Sequence, residues 1–135
     1  MIKAIYLISK ARPAGPTNQA LNILKGMKQN GVVDMRLVTL MPEQDGNSWL
    51  NRFLECGLTV VQLNPKRFSL YKSISALNQY IKENGIDVVH STGYQADLVN
   101  MLLTHIVSVY YPHLLKICKF PLFSRGIAPF FGCVR

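Results

Sequence analysis

The sequence predicts an α/β fold: an open, doubly wound parallel sheet of about five strands, with helices on both faces. Three observations carry this. Short β-branched runs alternate with longer stretches whose apolar residues recur every three to four positions. Three successive helical stretches end at a glycine, Gly31, Gly57 and Gly85, spaced by about one strand-plus-helix unit. The strand runs are apolar nearly throughout rather than alternating, as strands are when helices cover both faces. Right-handed crossovers then make the sheet parallel.

The elements follow in order. Lys3 to Ser9 reads as a buried first strand. The loop from Lys10 to Pro16 leads to Thr17 or Asn18, either of which suits a helix cap. Ala20, Ile23, Leu24 and Met27 then form one apolar stripe, with Asn22, Lys25 and Gln29 off it. Met35 to Met41 is a second strand. Ser48 opens a helix striped by Leu50, Phe53 and Leu54. Leu58 to Leu63 is a third strand, and Ser69 opens a helix striped by Leu70, Ile74, Leu77 and Ile81. Ile86 to His90 is a fourth strand, Tyr94 to Leu103 a fourth helix, and Ile106 to Tyr110 a fifth strand. Residues 1–110 therefore read as one domain. Residues 111–135 read as an irregular, basic, apolar tail: Asp97 is the last acid, while Lys116, Lys119, Arg125 and Arg135 follow, with Pro112, Pro121 and Pro129 among them. The tail fits either an element interrupted before its packing partners, through truncation or an altered reading frame, or an irregular ordered cap.

Composition narrows the function classes. At 135 residues, 49% apolar and 16% charged, the chain can bury a core and is neither disordered nor fibrous. The 15 Lys+Arg against 7 Asp+Glu give +8, which favours an anionic partner or surface. Nucleic acid is not favoured, because the basic residues are scattered and no recognition helix or stacking motif appears. The three cysteines, Cys56, Cys118 and Cys133, are odd in number and far apart, which excludes a disulfide framework and a tight metal knuckle and fits a reducing cytosol. The apolar run between Lys3 and Lys10 is too short for a signal-peptide core. The run from Leu98 to Tyr111 is broken by Asn100, Thr104, His105 and Ser108 and falls short of the roughly 20 residues a bilayer requires.

Ligands of open parallel sheets bind outside the carboxyl ends of the strands. On that rim the sequence places Lys10, Arg12 and the Gly15 loop, then Glu43 and Asp45, then Lys66 and Arg67, then His90, Ser91, Thr92, Gly93 and Tyr94. Four cations and a helix N-terminus suit a phosphate-bearing ligand. Any one of these cations alone is more commonly a solvated loop charge; their clustering is what favours a site. Gly15 would let a ligand approach the backbone, although an ordinary strand–helix turn uses glycine too. The loop is neither a dinucleotide fingerprint nor a nucleotide-triphosphate loop. His90, at the end of its strand, suits an acid/base or a donor to a ligand oxygen, with a packed, hydrogen-bonded histidine as the plainer alternative. No metal constellation, nucleophile elbow or glycosidase carboxylate pair is present.

Taken together, RPAGPTNQALNILKGM, RLVTLMPEQ, CGLTVVQLN and above all DVVHSTGYQADL resemble the N-terminal domain of glycosyltransferase family 4 over about residues 1–105. The wording is similar to bacterial enzymes that build surface polysaccharides. These are GT-B enzymes, with two Rossmann-like domains facing each other across a cleft. The resemblance implies that this domain receives a saccharide or lipid-linked acceptor. It implies that Arg12 to Asn18 lies near the donor pyrophosphate, and that His90 to Gln95 forms the turn after the fourth strand. Rim and resemblance together give a candidate site with His90 as the catalytic group and Arg12, Gly15, Thr17, Asn18, Lys66, Arg67, Ser91, Tyr94 and Gln95 as substrate-binding groups. Transfer in the family commonly retains configuration and needs no metal. No cofactor is implied, since the nucleotide-sugar is the donor substrate.

Two departures matter. The donor-binding domain is not in this sequence, so a separate C-terminal donor domain is an implied partner. The histidine that members usually carry after strand five has no convincing counterpart: Val107 to His113 reads VSVYYPH, with His113 the only candidate. The expectation is a truncated or split copy, inactive alone, in the cytoplasm and held at most peripherally on the inner face of the membrane. The alternative is a non-enzymatic domain on the same sheet that binds a phosphorylated lipid or polysaccharide intermediate.

Overall fold

The computed structural model describes residues 1–42, 49–64, 68–110 and 131–133. The elements run β1 (Ile2–Ile8), α1 (Gly15–Asn30), β2 (Val33–Thr39), α2 (Trp49–Glu55), β3 (Val60–Gln62), α3 (Leu70–Asn84), β4 (Val88–Thr92), α4 (Tyr94–Tyr110) and β5 (Phe131–Cys133). The sheet order is β3-β2-β1-β4-β5. The first four strands are parallel and β5 runs antiparallel against β4. This is the doubly wound, Rossmann-like α/β architecture that the sequence predicts.

Alternation along each strand divides the core. Tyr6 and Ile8 of β1 and Leu37 of β2 face one way, packing with Ala20 and Leu24 of α1 and with Leu50 and Phe53 of α2. Ile5, Leu7, Val38 and Val89 face the other way, against Leu77 and Ile81 of α3 and Ala96, Val99 and Leu103 of α4. Both faces of β1 are therefore closed, which is why its sequence is apolar without alternation.

Several local expectations change. The segment Ile106 to Tyr110 is the end of α4, not a fifth strand. Its β-branched residues suggested a strand, but no proline or glycine interrupts the chain between Tyr94 and Tyr110, and extending an existing helix avoids a new nucleation cost. The strand that does complete the sheet, Phe131–Cys133, lies inside the segment read as an irregular tail; the rest of that tail is outside the described residues. Helix α1 begins earlier than expected, with Ala14 at the N-cap and Pro16 in its first turn, so neither Thr17 nor Asn18 caps it. Its buried stripe is Thr17, Ala20 and Leu24, whereas Met27 is exposed. On α2, Leu50 and Phe53 are buried but Leu54 points outward, 56% exposed. Gly31 and Gly85 end their helices at φ 66 and φ 61, the left-handed conformation expected of them.

At the amino end of the sheet, Arg36 pairs with Asp34 at 3.0 Å and donates to Tyr80 Oη at 3.4 Å and Asn84 Oδ1 at 3.3 Å. The bonds to Tyr80 and Asp34 hold the guanidinium in its charged form. This cluster ties the last turns of α3 to β2, at the end of the sheet away from the rim.

Candidate functional site

Strands β1 and β4 are neighbours, yet the chain leaves them on opposite faces. From β1 it turns into α1, and β2 and β3 then extend the sheet away from β4. From β4 it turns through Gly93 into α4, on the other face. The carboxyl ends of β1 and β4 thus flank the topological switch point, where open α/β sheets generally bind their ligands.

The β1 side carries four of the expected residues. Arg12 is exposed, and its backbone N–H donates to Thr17 Oγ1 at 3.4 Å. Thr17 is only 2% exposed, so its hydroxyl braces the loop rather than facing solvent. Gly15 and Asn18 are exposed, and nothing among the described residues lies within 4 Å of where a Cβ on Gly15 would sit. The α1 terminus is a weaker anion cradle than its position suggests. The Thr17 and Asn18 amides both donate to Ala14 O at 3.1 Å, and Pro16 has no N–H. Gly15 N–H is the first-turn donor that Ala14 O does not take. No acid in that turn opposes an anion.

The β4 side is arranged differently. The strand continues two residues past His90, so the imidazole sits within the strand rather than at its tip. It is 8% exposed and packs on the Tyr6 ring with centroids 4.5 Å apart and planes inclined by 53°. Thr92 Oγ1 lies 2.9 Å from Tyr6 Oη and 3.4 Å from His90 Nε2. Burial pushes the His90 pKa below the ordinary histidine value, and the Asp97 carboxylate opposes this less strongly. The ring is therefore neutral at neutral pH and acts through hydrogen bonds rather than charge. Ser91, one residue on, faces the opposite layer: it is 1% exposed and its Oγ accepts from Asn100 Nδ2 of α4 at 3.1 Å. Tyr94 is 82% exposed at the first position of α4, and Gln95 is half-buried.

Lys66 and Arg67 lie outside the described residues. The chain leading to them is anchored, because Asn64 Nδ2 donates to Ser73 Oγ of α3 at 2.7 Å, both residues being buried. That anchor sits beyond β3, two strands away from β1.

The structure thus brings the Arg12–Asn18 loop and the His90–Gln95 segment to adjacent strand ends. Arg12, Gly15, Asn18, Tyr94 and Gln95 have access to solvent there, whereas Thr17, His90 and Ser91 are buried. Tyr6 was not anticipated as a site residue. Its signal was a phenol among the otherwise hydrocarbon side chains of Ala4 to Ile8, facing the same side as His90 once the register pairs the two. Among the described residues no group of histidines, cysteines and carboxylates could hold a metal ion. A shallow hollow of about 470 Å³ lies elsewhere, between α1 and α2, lined by Lys25, Lys28, Gln29 and Cys56. Lys28 is committed there, donating to Cys56 O and Gly57 O.

The strand order and its flanking helices define a Rossmann-like α/β domain with a switch point between β1 and β4. Among solved structures, MurG of Acinetobacter baumannii is similar to this chain, with a TM-score of 0.53 and 16% identity over 75% of the chain. The chain spans about a third of that protein's length (32%). At this identity the likeness establishes the fold alone. Glycinamide ribonucleotide transformylase 1 of Symbiobacterium toebii is also similar, with a TM-score of 0.45 and 23% identity over 70% of this chain and 42% of that one. No protein-family model and no curated protein matches the chain. No helix among the described residues is long and apolar enough to cross a membrane.

Proposed function

We propose that the chain is the acceptor-side half of a GT-B glycosyltransferase, most similar in its motifs to family 4. A second domain would hold a nucleotide-sugar, from which the hexosyl group passes to a saccharide or lipid-linked acceptor. The carrying observation is the convergence of the Arg12–Asn18 loop and the His90–Gln95 segment on adjacent strand ends at the switch point. The likeness to MurG, itself a GT-B glycosyltransferase, supports the same reading. In this arrangement exposed Arg12 and the Gly15 N–H meet the leaving diphosphate. Preorganised donors of this kind stabilise charge that develops in the transition state. Tyr94 and Gln95 line the acceptor side, while Thr17, Ser91 and His90 hold the two loops in place. Contact with a membrane would be peripheral, at the cytoplasmic face where lipid-linked acceptors are presented.

Two measurements test this. Titration with inorganic pyrophosphate, followed by amide NMR, should move resonances within residues 10–18, and Arg12→Ala should weaken binding several-fold. Combining the chain with a donor domain encoded beside it should restore hexose transfer to a lipid or saccharide acceptor. Pyrophosphate shifts lying elsewhere, or unchanged binding by Arg12→Ala, would reject the site. Binding without any transfer would leave the non-enzymatic reading.

A further inference from the structure

We propose that the Thr92 hydroxyl, held by Tyr6 and His90, is the group with which this crevice grips a hydroxyl of a saccharide ligand. This rests on the acceptor reading above and names the ligand chemistry at one point of that site.

The argument begins with register. Tyr6 pairs with His90 and Ile8 with Thr92, and alternation puts all four on the α1 side of the sheet. Depth then separates their roles. Tyr6 is 0% exposed and His90 8%, so neither reaches a ligand in this conformation. Thr92 is the last residue of β4 and keeps partial access to solvent. Next comes Gly93 at φ 101, with nothing among the described residues within 4 Å of where a Cβ would stand. The chain therefore turns directly after Thr92, in a conformation that side chains rarely adopt.

Hydrogen-bond counting supplies the polarity. A threonine hydroxyl has one proton and two lone pairs. The assignment takes Tyr6 Oη, 2.9 Å away, as the donor to one lone pair, one of the two directions this contact allows. With the Thr92 proton then directed to His90 Nε2, 3.4 Å away, the assignment requires the neutral ring to carry its own proton on Nδ1. One lone pair then remains at the rim, oriented in advance and able to accept from an alcohol. A sugar hydroxyl is the matching donor, whereas phosphate, which accepts, is not. Tyr6 and His90 are positioning residues here. Neighbouring groups fit this assignment. From α1 the buried residues Thr17, Ala20 and Leu24 bring no charge, and from α4 Asp97 is the charged group that acts on His90.

The test uses the intact chain, a panel of methyl hexopyranosides as probes, and NMR of backbone amides and imidazole nitrogens. In the wild type, His90 should be the Nδ1–H tautomer, and saturating glycoside should shift the Nε2 and Thr92 amide signals. Thr92→Val keeps the shape but removes the hydroxyl, and should weaken binding about tenfold. Thr92→Ser should restore it to within about threefold. Tyr6→Phe, which keeps the ring stack, should weaken binding by a smaller factor and covers the case in which Thr92→Val is poorly folded. Glycoside binding that Thr92→Val leaves within twofold, or an Nε2–H tautomer, overturns this assignment while leaving the acceptor reading standing. Failure of the wild type to bind any glycoside of the panel, with pyrophosphate still bound, overturns both.

Discussion

Replacing Phe53 by Ala tests how α2 is held to the sheet. This helix has seven residues, and only Leu50 and Phe53 of it are buried. Phe53 is 0% exposed and sits in the cluster formed by Tyr6, Leu24, Leu37 and Leu58. Removing a buried phenyl ring forfeits its transfer free energy and leaves a cavity, at a cost of about 3–5 kcal/mol. A domain this size has total stability on the order of 5–15 kcal/mol, so the variant should fold but marginally. With a urea m-value of about 2 kcal/mol/M, the midpoint should fall by roughly 1.5–2.5 M. The single tryptophan, Trp49, opens the same helix and packs against the same cluster. Its fluorescence therefore reports α2 docking, while far-UV circular dichroism reports the whole fold. Leu54→Ala is the control: one residue away but 56% exposed, it should change stability by less than about 0.5 kcal/mol. A Phe53→Ala midpoint shift under about 0.5 M, or a Leu54→Ala effect of equal size, would refute the assignment of which face of α2 is buried.

Two other outcomes follow from buried polar groups. Asn64→Ala strands the Ser73 hydroxyl inside the protein and should cost about 1–3 kcal/mol in thermal or urea unfolding; a neutral result would mean that the Asn64–Ser73 bond does not anchor the β3–α3 loop. The lowered His90 pKa means that the unfolded chain binds a proton more readily than the folded one. This contribution to stability is fully present above the unfolded value of 6.5 and is lost as pH falls toward and through the folded value. Wild-type stability should therefore decline on acidification below about 6.5 by more than that of His90→Gln. Equal pH dependence in the two proteins would show that the imidazole is not desolvated as described.

Much of the fold was legible because its signals are local. Unbroken apolar runs gave β1 and β4, and glycines at φ 66 and φ 61 closed α1 and α3 where the sequence placed their ends. Misreadings came where local signals conflict. Val107 and Ile106 favour a strand in isolation, but they follow a helix already nucleated from Tyr94. Leu54 looks like core beside Phe53, yet a two-turn helix presents only a narrow stripe to a sheet, and Leu54 falls outside it.

The sequence by itself determined the alternation of strands and helices, the two-sided burial of the sheet and the rim on which loops gather, because periodicity, helix stops and hydrophobicity are written residue by residue. Tertiary structure alone decided that β4 lies beside β1, that His90 stacks on Tyr6 with Thr92 bridging them, and that Ser91 serves the opposite layer. These contacts join residues more than 80 positions apart, or turn on one step of strand register. Only the long-range pairing of strands sets either.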